Sequence, residues 1–339
     1  MKNPAISVIL PVYNCEKYIA EALGSILNQA FADFEVFVID DASTDATLDV
    51  ISKFNDPRIR LITKVKNTGY TDSLNMGLKF ANGKYIARMD GDDIAMPDRF
   101  EKQYRLMEDR PDIIVCGTWL SIIASERVIQ NPENHEQILL QLLYKNPIGH
   151  PSVFIRKDAI TSLEYDKFKE PAEDYDLWSK MIWLGQFYNI QQPLMQYRQH
   201  ELQVSNTKNN KQTRHFNESR ILLFKRLHYD VSMFPDSLVL KILNREFALS
   251  GKEFRLMLKW FHEVQEKNRN KQLYQVKEFI EITEQMKNSF IGDYFLMNKF
   301  KGIIVDRFFS LPPRLMYFVV KVCTKYFNRQ LYRKLGISY

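Results

Sequence analysis

Three carboxylates fall within four residues, Asp90, Asp92 and Asp93, spaced by Gly91 and placed just after the apolar run Tyr85-Ile86-Ala87. Like charges that close repel one another, and oxygen ligands of this kind suit a hard divalent cation. Gly91 lets the backbone turn tightly, so alternate carboxylates can point at one centre. A solvated acidic loop capping the next helix accounts for the same residues, so the context decides. Two further acidic pairs supply it: Asp40-Asp41, which closes the apolar run Phe34 to Ile39, and Glu173-Asp174, which opens a helical pattern. Asp174 can act as a general base if burial beside Glu173 adjusts its proton affinity. The same pair can also serve as a helix cap. His150 and His200 each follow a strand-like run and can be metal or phosphate contacts or structural histidines. His135, His215, His228 and His262 sit in polar, helical surroundings.

The chain pattern supplies elements able to position these groups. Ala5 to Leu10 is a continuous apolar run closed by Pro11 and Asn14, as in a strand buried on both faces, and is too short for a signal peptide. Helical spacing follows at Ile19, Ala22, Leu23 and Ile26. Then come a strand over Phe34 to Ile39, a helix capped by Ser43-Thr44-Asp45 and running to about Phe54, and a strand over Ile59 to Thr63. A helix from Gly69 to about Phe80 and a strand over Tyr85 to Met89 complete the series. This alternation predicts an α/β fold with a Rossmann-like, doubly wound, mostly parallel sheet. Ligands of such sheets bind beyond the carboxyl ends of the strands. Those ends carry Pro11 to Asn14, Asp40 to Ser43 and Asp90 to Asp93, three polar ends on one rim.

Further along, the pattern predicts a helix over Pro97 to Asp109, a strand over Ile113 to Leu120 and a hairpin or loop over Ser121 to Glu133. A strand follows His150, and the helix opened by Glu173 has Leu177, Trp178, Met181 and Ile182 on its apolar face. Met195 to Ser205 reads as a strand leading into a polar loop. From about Asn206 long, charged, helix-favouring segments run to the end. The expected division is therefore 1–205 and 206–339.

Composition narrows the function classes. The chain has 339 residues and is 45% hydrophobic, enough for a sizeable core. Cys15, Cys116 and Cys323 are far apart, which argues against a disulfide framework or zinc site and fits a reducing, cytoplasmic compartment. No run approaches the roughly 18 apolar residues that span a bilayer. The net charge of +6 belongs to residues 301–339, which hold eight basic side chains and one acid. A nucleic-acid-binding protein would instead carry a basic stripe on its main domain. Neither G-x-G-x-x-G nor G-x-x-x-x-G-K-[ST] occurs, which excludes the usual dinucleotide and phosphate loops. A bound diphosphate would rely on metal and on scattered basic or amide groups.

The runs ISVILPVYN, VIDDASTDAT, NTG, ARMDGDD and AEDYDLW occur in that order. Together they resemble an inverting family-two glycosyltransferase of the GT-A fold, the bacterial group that builds surface polysaccharides. The resemblance covers about residues 5–205, and the rest resembles no named family. It implies a hexosyltransferase-type enzyme that moves one sugar from a nucleotide-sugar, UDP-linked, to a lipid-linked or growing glycan acceptor. It places Pro11, Val12 and Tyr13 beside the base, Asp41 at the uracil N3–H, and Asp90 with Gly91 at the ribose. Asp92 would ligate Mg²⁺ or Mn²⁺, with His200 or His150 as a late ligand, and Asp93 would orient or cap. Lys66 or Lys64 would face the phosphates, Arg88 would face them or pair with the acidic loop, and Asp174 would be the base. Ser43 and Asp45 are expected as caps. A binding protein without turnover would lack Asp92 or Asp174, and a processive synthase would carry Q-x-x-R-W and several membrane spans; neither description fits.

The tail carries its own expectation. Lys321, Lys325, Arg329 and Arg333 recur at i, i+4, with Val319, Val322, Tyr326 and Gln330 to one side. Such a stripe suits an interfacial helix on anionic lipid, at the inner face of the cytoplasmic membrane. A helix packed on the protein with a solvated basic face is the alternative.

Overall fold

Every residue of β1 (Ile6–Val12) is buried, and the first half of the sheet is built outward from it. β1 pairs in parallel with β2 (Phe34–Asp40) on one side and β4 (Tyr85–Arg88) on the other, and β3 (Ile59–Thr63) extends the sheet beyond β2. The connecting helices are α1 (Ile19–Leu27), α2 (Thr47–Ile51) and α3 (Tyr70–Phe80). α1 buries Ile19, Ala22, Leu23 and Ile26, the four positions its spacing predicts. At Gly77 of α3 a Cβ would lie 2.5 Å from Ile9 Cγ2, so only glycine lets this helix lie so close on β1.

The remaining elements are β5 (Ile94–Ala95), α4 (Arg99–Asp109), β6 (Ile113–Ile122), β7 (Val128–Ile129), α5 (His135–Gln141), β8 (Phe154–Arg156), α6 (Lys157–Ile160), α7 (Glu173–Met181) and β9 (Gln186–Tyr197). The strand order is β3-β2-β1-β4-β8-β6-β9-β5, with β7 in a hairpin on β6. The β4–β8, β8–β6 and β9–β5 pairs are antiparallel, while β6–β9 is parallel. Parallel pairing thus governs the Rossmann-like half, and the second half is mixed, with antiparallel pairs in the majority.

Residues 3–199, 209–297, 307–309 and 311–334 are described in this computed structural model, with side chains of the last helix described as far as Thr324. The chain divides into two units, Met1–Arg220 and Ile221–Tyr339. β9 begins at Gln186, well before the expected Met195. Its Gln191-Gln192-Pro193 interrupts the apolar alternation, and register shifts around Trp119 of β6 absorb the irregularity.

After α8 (Asn209–Lys225), the second unit consists of α9 (Asp236–Leu243), α10 (Gly251–Lys271), α11 (Val276–Met297) and α12 (Pro313–Lys334), with a short helical turn at 307–309. Its core is aromatic: Phe224 packs on Trp260 and Phe279, and Tyr274 stacks on Phe279. A capping box between Ser250 and Glu253 opens α10. α12 packs on α11, where a Cβ on Gly292 would lie 3.4 Å from Val322. Val319 and Cys323 are buried, whereas Tyr317 is 70% and Val320 50% exposed, beside exposed Arg314 and Lys321. Val319, expected on a lipid-facing edge, is instead packed inside the unit, because the helix uses that edge against its neighbour. Among the described residues no helix is long and apolar enough to cross a membrane.

Candidate active site

The acidic loop leaves the end of β4. Arg88, whose side chain is buried, donates to both oxygens of Asp90 at 2.7 and 2.5 Å. Arg88 therefore pairs with the loop itself. Asp90, Asp92 and Asp93 each offer an oxygen within 4.8 Å of the others. Asp93 is fully buried; its Oδ1 accepts the Arg198 N–H at 2.9 Å, and its Oδ2 has no hydrogen-bond partner among the described residues. Burial, reinforced by Asp90 and Asp92, pushes the Asp93 carboxyl well above its ordinary range. Arg198 also donates through Nε to the Asp92 carbonyl at 2.8 Å and pairs with Glu21. Three hard oxygen donors, one of them buried and orphaned, fit a divalent cation.

Gly91 lies in the turn expected of it, and its missing side chain has a second use. A Cβ there would lie 3.0 Å from Val12 Cγ1 and 3.1 Å from Cys15 Sγ, so glycine lets the acidic loop lie against the end of β1. Pro11 and Val12 are buried and Tyr13 is 49% exposed. The loops after β1 and β2 are laced together. The Asn14 N–H donates to Ser43 Oγ at 3.0 Å, and Asn14 Oδ1 accepts the Thr44 N–H at 2.8 Å. The Glu16 N–H donates to Asp45 Oδ2 at 3.1 Å, and the Ala46 N–H to Glu16 Oε2 at 2.9 Å. Asp45 also accepts the Thr47 N–H at 3.0 Å at the start of α2, while Ser43 is a cross-link between loops.

Asp41 is buried and engaged. Its two oxygens accept the Thr68 and Gly69 N–H groups at 2.9 Å each, and Lys64 Nζ lies 2.7 Å from Oδ1. With about four lone-pair positions on a carboxylate, these contacts leave room for one more donor. Lys64 is thus committed to Asp41, while Lys66 is exposed.

Asp174 sits in the first turn of α7. Its Oδ2 accepts from Asn146 Nδ2 at 2.8 Å and its Oδ1 from the Tyr175 N–H at 2.6 Å. Glu173 is 2% exposed and accepts the Tyr70 hydroxyl at 2.5 Å. Burial raises both carboxyls; for Glu173, burial and then the Asp174 charge push it up to about 8. Arg88 opposes the rise at both, so one guanidinium serves Asp90 and this pair together.

His150 is mostly buried, its side chain 11% exposed, and desolvation followed by the Arg88 charge holds it neutral. Its Nε2 is 3.1 Å from the Tyr165 hydroxyl and its Nδ1 3.9 Å from Glu173. It therefore belongs with Glu173 and Tyr165 and not with the three aspartates. Trp178 is fully buried, a core residue. His200 lies outside the described residues, two positions after Arg198 in the chain.

Tyr70, Asn146, Arg198 and Arg99 join the site without being expected there from the sequence. Arg99 is fully buried and donates to the Arg88 carbonyl at 2.9 Å and to Gln103 at 3.0 Å; burial, then Arg88, brings it down to about 9. Of the four, only Tyr70 has a local signal, since it directly follows the Asn67-Thr68-Gly69 turn.

A family model described as glycosyl transferase family 2 matches residues 7–166. An uncharacterized glycosyltransferase of Haemophilus influenzae is 37% identical over 229 residues, which cover 62% of this chain and 71% of that protein. The putative glycosyltransferase EpsE of Bacillus subtilis is 34% identical over 209 residues, covering 58% of this chain and 74% of EpsE. Among solved structures, residues 1–349 of S. aureus TarS in complex with UDP match with a TM-score of 0.55 and 19% identity, over 84% of this chain and 91% of that one. The same TarS segment in complex with UDP-GlcNAc matches with a TM-score of 0.55 and 17% identity. These two likenesses show a shared fold.

Proposed function

Because the chain belongs to glycosyl transferase family 2, we propose that it transfers one sugar, with inversion, from a UDP-linked donor to a lipid-linked or growing glycan acceptor in surface polysaccharide synthesis. The observation that carries this reading is Asp174, a carboxylate held by an amide and a backbone N–H, with its proton affinity raised by burial. A base must be charged yet still willing to take a proton, and this setting suits both needs. In the reaction the acceptor oxygen attacks the anomeric carbon while Asp174 takes the hydroxyl proton. The bond from that carbon to the diphosphate oxygen breaks, and its electron pair leaves with the nucleoside diphosphate. Attack from the face opposite the leaving group inverts the centre.

On the donor side, Pro11, Val12 and Tyr13 line the base, Asp41 takes the uracil N3–H on its remaining lone pair, and Asp90 with Gly91 meets the ribose. Lys66 is the exposed cation available to the phosphates. Asp92 and His200 would hold Mg²⁺ or Mn²⁺, with Asp93 Oδ2 as a further oxygen, and the ion would offset charge developing on the departing diphosphate. The supporting facts are the three convergent carboxylates and the TarS complexes with UDP and UDP-GlcNAc.

The acceptor reading includes a peripheral contact with the cytoplasmic face of a membrane. Its support is the outward side of α12, where Arg314, Tyr317, Val320 and Lys321 are exposed. Each cation near anionic lipid contributes about 1 kcal/mol, so Arg314→Glu with Lys321→Glu should weaken sedimentation with phosphatidylserine vesicles at low salt by at least about tenfold. Unchanged sedimentation removes the contact. The donor reading is tested by a thermal-shift screen of nucleotide-sugars with and without Mn²⁺, since a bound donor stabilises by mass action. A Mn²⁺-dependent rise with UDP-sugars is expected; no rise with any of them overturns it.

A further inference from the structure

Helix α3 touches the site at two places, and the role it takes there rests on the glycosyl-transfer reading and deepens it. Just before the helix, the Thr68 and Gly69 N–H groups hold the Asp41 carboxylate. In its first turn, Tyr70 donates its hydroxyl to Glu173 Oε2 at 2.5 Å and Thr71 donates to Glu170 Oε2 at 2.9 Å. One turn later Asn75 grips Tyr165 in both directions, giving an N–H to its carbonyl at 2.8 Å and accepting its N–H at 2.9 Å. Gly69 has φ +95°, and a Cβ there would sit 3.2 Å from Glu170 Oε2, so the turn and the loop before α7 are in close contact. The loop that delivers the base is therefore bound along one side of α3.

We propose that Tyr70 is a positioning residue: its hydroxyl fixes Glu173, the chain neighbour of Asp174, against the turn that holds Asp41, so that base and donor pocket keep one separation. Tyr70 does not touch the reacting atoms. The groups facing Glu173 are Tyr70 from α3, Arg88 from β4, and His150 and Tyr165 from the loops beside it, together with Asp174 on its own helix. Of these, Tyr70 gives it a short side-chain hydrogen bond. A carboxyl that loses such a donor keeps its proton to higher pH. A tyrosine that merely filled space would leave that titration unmoved when only its oxygen is removed.

The experiment is Tyr70→Phe in the full chain. UDP affinity by calorimetry with Mn²⁺ should stay within about twofold. The kcat for UDP release from a panel of UDP-sugars should fall about tenfold, with donor KM little changed. The carboxylic C=O infrared band of Glu173, assigned by its loss in Glu173→Gln, should persist to a pH about one unit higher. Thr71→Val, which removes the contact to Glu170, controls for general loosening of α3 and should leave that band's titration in place. An unmoved band together with an unchanged kcat in Tyr70→Phe overturns the proposal, as does an equal band shift in Thr71→Val. Asp174→Asn in the same assay separates the two claims. If it turns over like wild type, the base assignment fails; if it is inactive while Tyr70→Phe behaves as wild type in both readouts, only the role of Tyr70 fails.

Discussion

Asp90 and Asp93 are held by arginines, Asp90 through the Arg88 side chain and Asp93 through the Arg198 backbone, while Glu173 and Asp174 are hydrogen-bonded by a phenol, an amide and a backbone N–H. Each group joins one fully buried carboxylate, Asp93 or Glu173, to partly exposed neighbours in the same unit, yet the hydrogen-bonding partners differ in charge. In the first group a full positive charge lies against one acid, and an orphaned oxygen remains on another. In the second, hydrogen bonds from Tyr70, Asn146 and the Tyr175 N–H, with Arg88 behind them, offset the burial only in part, so proton affinity rises. Burial raises proton affinity at Asp90 and Asp93 as well, so what sets the first group apart for a cation is its three convergent oxygens, one of them orphaned.

Four experiments bear on this contrast. Asp174→Asn should lower turnover by about a thousandfold, within the range general bases supply, with UDP affinity by calorimetry kept within a few-fold. Turnover that survives would leave Asp174 as a helix cap. Asp92→Asn should lower turnover by roughly a few hundredfold and abolish the Mn²⁺ dependence of UDP binding. Full activity of the native protein in excess EDTA would remove the cation from the first group.

Arg88→Met should cost about 2 kcal/mol in urea unfolding, because it leaves the Asp90 carboxylate, 33% exposed, without its partner. A loss below about 1 kcal/mol would mean that Asp90 is solvated well enough to stand alone. The smallest effect is on pH dependence. With the Glu173 carboxyl raised to about 8, the folded state binds more protons than the unfolded state from the ordinary carboxyl range up to that pH. Stability should therefore fall as pH rises through that window, at up to about 1.4 kcal/mol per unit. Glu173→Gln should flatten this slope, and an identical slope in the variant would refute the assignment.

Much of this was legible in the sequence, for a local reason. The burial of β1, the helical face of α1 and the acids at the ends of β2 and β4 are written in consecutive residues. The partners were not. Tyr70 and Glu173 lie 103 positions apart, and Arg198 and Asp93 lie 105 apart, so no window of sequence contains both members of either pair. The turn at Gly91 was legible, but the glycine's second reason, the closeness of Val12 and Cys15, exists only once β1 and β4 are paired. Val319 likewise reads as one edge of an amphipathic helix, and the spacing says nothing about whether protein or lipid covers that edge.

The lacing of the loops after β1 and β2 bears on how a nucleotide would be chosen. With Asn14, Glu16, Ser43 and Asp45 already cross-linked, an arriving base spends none of its contact energy on ordering either loop. Under the proposed donor reading, preference among bases then falls to the one acceptor position left on Asp41, while the exposed ring of Tyr13 offers a stacking face to any base. Exchanging the nucleotide would be a matter of changing that acceptor, and Tyr13→Ala should weaken UDP and GDP to similar extents in calorimetry; clearly unequal losses would place the choice in the ring.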